Sequence, residues 1–527
     1  MSAETMALAS PALPEFLRRH AFERPDHVAV IDGGTGESVT YAALLDRVCA
    51  LASGLRESGV APGDRVGIVA MNSLSYVELL WALAELGAIA VPLNLRLHPK
   101  EAAANLTDAG ASGIVADAAM GQLAAAIVAQ VDIPLKLTLG AATPGWVSVD
   151  SIRGPGGSTA RIGEPTGETT CTLLFTSGTT GRAKGCQLPQ RTWTGYALNM
   201  AAAIEMSRDD VYLALLPYFH VAGLGTLLSQ MALGGTVVTQ ATADPAQMYR
   251  LIEQHGVTIV FVVPGITGPF MDYPGASETD TDSLRLVITA AGLDRDGLVD
   301  EVAERLGADV VTIYGQTESG TKITWATSDQ LRANPGTYGS AMPGVVYRIV
   351  DADDNDVADG EAGELVIRGG TVMNGYWGRP EATAETLRGG WHHTGDTFVH
   401  EGEGLLRMVD RTKYLIKTGG ENVYPQEVEN VLRTHPQVAD VAVIGIPDPD
   451  WGETVKAFVI PAAGVELSRA DLDAWVRESI AGYKAPRFIE FTTDIPRNES
   501  GKILKNVLAD RPTDAGQRVS RKDRADG

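Results

Sequence analysis

The chain predicts an α/β protein. It reads as a large N-terminal domain of two parallel-type αβ subdomains plus a small β-barrel-like subdomain, then a small α+β C-terminal domain. Three observations carry this. Helix and strand patterns alternate from Thr40 to Ile313, as in parallel sheets covered on both faces. From Tyr338 to about Arg368 the pattern changes to short strands parted by Gly and Asp clusters. After Lys413 comes a compact mixture of helices and strands that ends near Leu508.

Taken in order, Thr40 can cap a helix whose apolar positions Leu44, Val48, Leu51, Ala52 and Leu55 share one face, with Gly59 placed to end it and a strand at 66–70. The longest apolar stretch, 76–93, is broken by Glu78 and Glu85, and Val77, Leu80, Trp81 and Ala84 fall at helical spacing. It reads as a core helix feeding a strand, not a membrane span. Thr172-Leu173-Leu174-Phe175 is a buried strand. Further on, strands at 257–263, 284–289 and 309–313 end at Pro264-Gly265, Ala290-Ala291-Gly292 and Tyr314-Gly315. Ligands of open α/β sheets sit beyond the carboxyl ends of strands, so these three loops describe one cleft. Segment 389–410 reads as turn-rich. Beyond it stand a helix near 426–433, strands near 441–446 and 455–460, and a helix capped by Ser468 that turns Leu472, Trp475 and Val476 inward. The expected domains are 1–412 and 413–509, with a polar, aperiodic tail at 510–527 expected to be disordered.

A chain of 527 residues has room for at least two cores. Its 43 Lys plus Arg against 66 Asp plus Glu give a net charge of −23, which argues against nucleic acid or an anionic membrane as partner. Cys49, Cys171 and Cys186 form neither metal spacing nor a disulfide framework, which fits a reducing cytoplasm. Residues 1–14 lack a basic n-region, so no secretory signal is expected.

The most informative run is Thr176-Ser177-Gly178-Thr179-Thr180-Gly181-Arg182-Ala183-Lys184-Gly185. A strand that empties into Gly, Ser, Thr and Lys offers converging N–H groups, hydroxyl donors and a point charge to an anion such as a nucleotide phosphate. Its spacing is not that of the common P-loop. Other motifs follow in order: Pro217-Tyr218-Phe219-His220, Tyr314-Gly315-Gln316-Thr317-Glu318, Thr394-Gly395-Asp396, the stretch from Asp410 to Glu429, and Pro496-Arg497-Asn498-Glu499-Ser500-Gly501-Lys502. Together they resemble the adenylate-forming superfamily, which holds acyl- and aryl-CoA synthetases, amino-acid adenylation domains of peptide synthetases, and beetle luciferases.

The resemblance implies an acid–CoA ligase that uses ATP, Mg2+ and CoA, proceeds through an acyl-adenylate, and has a mobile C-terminal domain. By it, Thr176, Ser177, Gly178, Thr179, Thr180, Gly181 and Lys184 hold the β- and γ-phosphates, Thr317 the α-phosphate and Glu318 the Mg2+. Ala291 and Gly292 lie against the adenine, with Gly292 standing where many relatives carry proline, and Tyr314 and Gln316 belong to the ATP/AMP-binding set. Asp396 meets the ribose, Arg411 adds a ribose or phosphate contact, and Lys502 bridges carboxylate and α-phosphate. Lys413 matches the hinge, where many relatives carry Asp. Lys417, Gly419 and Gly420 match the loop that meets the pantetheine arm, and Lys484 and Arg487 are candidates for the CoA phosphates.

His220 resembles the gate between acyl pocket and thiol tunnel, and Phe219-His220-Val221 lacks the Asp that amino-acid adenylation domains use for an α-ammonium. The pocket candidates Val221, Val263, Gly315 and Thr321 are small or apolar, so the expected substrate is a hydrophobic carboxylic acid. Lys322 either pairs with a polar group on that acid or points to solvent. Transfer to a carrier-protein thiol is the alternative to CoA.

Overall fold

The computed structural model describes residues 10–97, 99–176, 183–263, 265–290, 297–411, 416–418, 421–423, 425–448, 452–465, 467–480, 482–497 and 503–514. The side chains of residues 321, 410, 411, 417, 421, 422 and 452 are outside that description. Two compact units divide the chain: residues 1–347 with 367–393, and residues 348–366 with 394–527.

The first unit holds two large sheets. In the nine-stranded one, Asp309–Gln316, Leu286–Ala290, Ile259–Phe261, Val211–Ala214, Thr236–Thr239 and Val28–Asp32 run parallel in that order, with antiparallel strands at both ends. In the eight-stranded one, a parallel run from Thr170–Thr176 to Val147–Ser148 is extended at its other side by the antiparallel strands Lys184–Pro189 and Gly375–Tyr376. The doubly covered αβ architecture expected from the alternating pattern is therefore present.

Local signals act where they were expected. The Thr40 hydroxyl accepts from Ala43 N at 3.3 Å and starts the helix Tyr41–Glu57, whose Leu44, Val48, Leu51 and Leu55 are buried. The helix Leu74–Leu86 is capped by Ser73 and closed by Gly87 in the left-handed conformation, and the strand Ile89–Pro92 follows. Glu78 and Glu85, which interrupt its apolar pattern, are both 2% exposed. Arg47, at 3.1 Å, and Arg153 hold Glu78, while Arg18 and the Ile162 N–H hold Glu85.

The second unit contains most of a four-stranded sheet in the linear order Val345–Val350, Gly363–Gly369, His392–His400, Leu406–Arg411. This corrects the turn-rich expectation for 389–410. Two strands, His392–His400 and Leu406–Arg411, occupy most of that segment, and Gly395 takes φ +66° inside the first without ending it. A five-stranded sheet follows. Its hairpin Val438–Asp448 and Gly452–Pro461 pairs with Phe488–Phe491 in parallel and with the short strand Ile416–Thr418, which in turn pairs with Glu421–Val423. Val428, Leu432, Leu472 and Val476 of the helices Pro425–Arg433 and Arg469–Ser479 share a core with Val441, Val455 and Ile489 of the strands. The chain stays attached beyond residue 510: Thr513 accepts from Lys456 at 3.3 Å and Arg511 donates to Thr492 at 3.2 Å. Residues 515–527 lie outside the description.

Candidate active site

The site begins at a hairpin. Thr170–Thr176 and Lys184–Pro189 are antiparallel, with Thr176 directly opposite Lys184 and the Thr176 hydroxyl 3.4 Å from the Lys184 carbonyl. Ser177, Gly178, Thr179, Thr180 and Gly181 themselves lie outside the described residues.

Next to this hairpin stands Tyr376, opposite Cys186 in register. Its hydroxyl donates to Glu318 Oε1 at 2.8 Å, and Lys184 Nζ sits 4.9 Å from its ring centroid. One aromatic side chain therefore joins a cation of the hairpin to the carboxylate of Tyr-Gly-Gln-Thr-Glu. Lys184 forms no ion pair, and the second Glu318 oxygen has no hydrogen-bond partner, among the described residues. Tyr376 has no local mark of function in the sequence, where it is a lone Tyr within Asn374-Gly375-Tyr376-Trp377.

The loop carrying Glu318 is fixed by its own backbone. Gln316 N donates to Ser319 Oγ at 3.0 Å, Ser319 Oγ donates to Gln316 O at 2.8 Å, and Met373 N donates to Glu318 O at 3.0 Å. Gly320 takes φ +69°, and a Cβ there would lie 1.9 Å from Thr371 O, so this turn requires glycine. Tyr314 packs edge-on against Tyr338 at 5.7 Å, and Gln316 Nε2 reaches the Tyr314 hydroxyl at 3.5 Å. His392 Nε2 lies 3.2 Å from Gln316 Oε1, and burial pushes its pKa down to about 3, with His393 adding to the shift. Thr317 is half-buried beside them. Ala291 and Gly292 lie outside the described residues.

His220 caps the helix Val221–Leu233, its Nδ1 accepting from Ala222 N at 3.4 Å. An accepting Nδ1 leaves the proton on Nε2. The side chain keeps accessible surface while ringed by protein atoms, and that enclosure, then the Lys322 charge, lowers its pKa. Val221 is 7% exposed at the start of the helix, and Gly223 lets the helix approach Pro217 O, 2.4 Å from where a Cβ would sit. Val263 is half-buried just past Ile259–Phe261. Gly315 is exposed and lies opposite Lys322 in register, as Gln316 lies opposite Thr321. Lys322 does not point to solvent: it is 4% exposed, over the rings of Tyr196 and Phe261. Burial pushes the thiols of Cys171, to about 11, and Cys186 upward, so both are packed residues and not nucleophiles.

In the second unit, the register of His392–His400 with Leu406–Arg411 sets Asp396 directly opposite Arg411, so the two ribose candidates are neighbours across a ladder. Asp396 is fully buried. Gly395 N donates to Glu364 Oε1 at 2.8 Å and Thr394 Oγ1 to Leu365 O at 2.7 Å, which fixes the Thr-Gly-Asp backbone. Lys484 donates to both oxygens of Glu427, at 2.7 and 2.8 Å. Arg487 is half-buried, with its N–H on Val455 O at 2.9 Å. Lys417 lies in the strand Ile416–Thr418. Lys413, Gly419, Gly420 and Lys502 lie outside the described residues.

Among the described residues no cluster of three or more His, Cys, Asp or Glu could hold a metal, and no helix is long and apolar enough to cross a membrane. A hairpin cation, a pinned carboxylate and strand-end loops on a parallel sheet define a nucleotide-handling α/β enzyme. The comparisons with known proteins make this specific. The AMP-binding enzyme family matches residues 17–377, and its C-terminal domain matches residues 427–502. The chain belongs to this family: it is an acid–thiol ligase of the adenylate-forming superfamily. A feruloyl-CoA synthase of an Amycolatopsis species is 38% identical over 497 residues, covering 93% of this chain and 97% of its own. The fatty acid–[acyl-carrier-protein] ligase ScoC of Streptomyces coeruleorubidus is 33% identical over 504 residues, covering 93% and 95%. The structure of o-succinylbenzoate CoA synthetase (MenE) from Bacillus subtilis, in complex with the acyl-adenylate intermediate OSB-AMP, superposes with a TM-score of 0.82 at 28% identity, covering 96% and 99%.

Proposed function

We propose that the protein activates a hydrophobic carboxylic acid with ATP and transfers the acyl group to coenzyme A. In the first step a carboxylate oxygen attacks the α-phosphorus, the bond from that phosphorus to the pyrophosphate oxygen breaks, and pyrophosphate leaves. In the second the CoA sulfur attacks the acyl carbon, the thiol proton passes to solvent, the bond to the phosphate oxygen breaks, and AMP leaves. The observation that carries the reading is the Glu318–Tyr376–Lys184 cluster at the mouth of the phosphate-loop hairpin.

Negative charge grows on the leaving pyrophosphate, so preorganised cations and donors lower the barrier. Lys184 and the hydroxyls and N–H groups of 176–181 supply them, with Thr317 on the α-phosphate. The residues present fit Mg2+: such ions take one or two protein carboxylates, and Glu318 offers a free oxygen while Tyr376 orients the other. Held there, Mg2+ would neutralise phosphate oxygens during transfer. Tyr314, Gln316, Ala291 and Gly292 take the adenine, Asp396 and Arg411 the ribose. Lys502 is the cation between carboxylate and α-phosphate, and Lys413 is the hinge of a mobile domain beginning at 413. His220, neutral and capping its helix, stands as the gate beside Val221, Val263, Gly315 and Thr321. Lys417, Gly419, Gly420, Lys484 and Arg487 receive CoA. Likeness to a feruloyl-CoA synthase supports CoA as acceptor.

Likeness to ScoC, a carrier-protein ligase by its name, favours a second reading in which a carrier-protein pantetheine thiol replaces CoA. Release of pyrophosphate and AMP is to be measured over a panel of acids with no thiol, with CoA, and with a pantetheinylated carrier protein. Acid-dependent pyrophosphate release with AMP turnover only on adding CoA is the expected result. Turnover only with the carrier protein replaces CoA in the proposal, and no acid-dependent release ends it.

A further inference from the structure

Among the described residues near the proposed acyl pocket, Lys322 is a charged side chain whose chemistry the reading above leaves unused. It is 4% exposed, with Nζ 4.6 Å from the Tyr196 ring centroid and 5.1 Å from that of Phe261. The only hydrogen-bond acceptor beside it among the described residues is Thr226 Oγ1, at 3.5 Å. The Thr226 proton goes to Ala222 O at 2.9 Å, so the hydroxyl faces the amine with a lone pair. A lysine has three N–H donors when charged, and a single long hydrogen bond leaves most of them unanswered. Ring faces attract a cation but do not replace a carboxylate.

This chain shows elsewhere how it buries a lysine for packing alone. Lys456, with no exposed side-chain surface, has Glu490 at 2.9 Å and donates to Thr513 at 3.3 Å. Lys322 has no such partner: no carboxylate forms an ion pair with it among the described residues. Burial pushes its pKa well below the usual lysine value, the mark of an amine short of counter-charge.

Its position matters as much as its environment. Lys322 lies opposite Gly315 in the ladder, on the strand that leaves the nucleotide loop. Thr226 lies one turn along the helix that His220 caps, and the Lys322 charge is felt at His220. The amine therefore sits where that helix packs on the strand Thr321–Ala326, next to the residues read above as the acyl pocket. A hydrocarbon chain laid there gives it nothing, whereas an oxygen gives it a short hydrogen bond in a water-poor setting.

We propose that Lys322 is a specificity-determining residue that receives a hydrogen-bonding oxygen at the far end of the acid. The preferred substrate is then an apolar acid carrying a hydroxyl, carbonyl or second carboxylate remote from the carboxylate that is activated. This rests on the ligase reading, and it narrows the substrate from any hydrophobic acid to an oxygen-bearing one.

The test is kcat/KM for matched acids that differ only at the far end: cinnamate against its para-hydroxylated form, and decanoate against decanedioate. The oxygenated member of at least one pair should win by about 10- to 100-fold, the worth of a hydrogen bond to a charged group. Lys322→Met should collapse that ratio toward one, and Lys322→Gln, which still donates, should keep part of it. Melting curves establish that each variant is folded. If Lys322→Met does not fold, the unmodified ratio and Lys322→Gln decide. Acids turned over with a ratio near one, or a ratio unchanged in a folded Lys322→Met, overturns this inference and leaves the ligase reading standing. No turnover of any acid overturns both.

Discussion

The two compact units treat their lysines differently. In the second unit Lys456 is paired with Glu490 at 2.9 Å, Lys484 with Glu427 at 2.7 Å and Lys505 with Glu429 at 3.0 Å. In the first, Lys184 and Lys322 face aromatic rings and form no ion pair among the described residues. A lysine whose charge is answered within the fold contributes to stability. One that is left unanswered, held over a ring, is ready to meet an anion brought by a ligand. We propose that this difference separates structural cations from functional ones, and the variants that follow are ways to break it.

The largest effect is expected at Lys456. It is wholly buried, over the Phe458 ring at 4.6 Å, and Glu490 is mostly buried beside it. Lys456→Met takes the nearer cation from Glu490, leaving it only the longer contact with Arg511 at 3.9 Å, and places an uncharged chain in a fully buried site, which should cost about 3 kcal/mol. Chemical denaturation should show that loss, while adenylation by the protein that remains folded proceeds at its normal rate. An unchanged stability would mean that pairing does not mark the structural lysines.

Lys184 should give the opposite pattern. Lys184→Met removes a cation from the mouth of the phosphate loop without stranding a paired acid, so stability should hold within about 1 kcal/mol. Acid-dependent pyrophosphate exchange should fall about 10²–10³-fold, as for other preorganised donors to a transition state. Lys502 is expected to match it: Lys502→Ala should lose exchange to a similar degree yet still convert a supplied acyl-adenylate to its thioester. Equal loss of both half-reactions would exclude that division of labour.

The sequence made the first unit's chemistry legible where function sits in contiguous motifs. The hairpin loop and Tyr-Gly-Gln-Thr-Glu carry their residue types side by side, and the strands before them have clear apolar runs. What stayed hidden depends on residues far apart in the chain. Tyr376 matters only because one strand pairing sets it beside Lys184 and another loop brings Glu318 to its hydroxyl. Glu78 and Glu85 read as interruptions of an apolar helix because their partners Arg18, Arg47 and Arg153 lie on separate elements. The strand His392–His400 was masked by glycine and histidine, residues poor in strand signal. Lys322 was visible as a charge, but its burial follows from three other elements packing over it.

A smaller effect tests whether the aromatic bridge between cation and carboxylate is functional. Tyr376→Phe keeps the ring under Lys184 and removes only the 2.8 Å hydrogen bond to Glu318. A hydrogen bond to a charged group contributes about 1.5–3 kcal/mol. The variant should raise the Mg2+ concentration needed for half-maximal adenylation by about 10-fold or more, and Glu318→Gln should raise it further. A Mg2+ titration identical to that of the unmodified protein would reduce Tyr376 to a packing residue.

The smallest effect is expected at Lys484, where the comparison meets a residue proposed to touch CoA. Its ammonium already donates to both oxygens of Glu427, and its side chain is 20% exposed against 30% for Glu427. A CoA phosphate has to displace a carboxylate of the same charge, so the two interactions nearly cancel. Part-exposed pairs of this kind are worth about 1 kcal/mol or less. Lys484→Met should therefore raise the KM for CoA only a few-fold and leave acid-dependent pyrophosphate release unchanged. Glu427→Gln, which frees the lysine, should move the KM in the other direction, and added salt should shrink both changes because the charges are open to solvent. If neither substitution moves the KM for CoA, Lys484 belongs with Lys456 and Lys505, and every lysine this unit pairs with a glutamate is structural. If Lys484→Met instead removes thioester formation altogether, a paired lysine carries function and the division drawn between the two units fails.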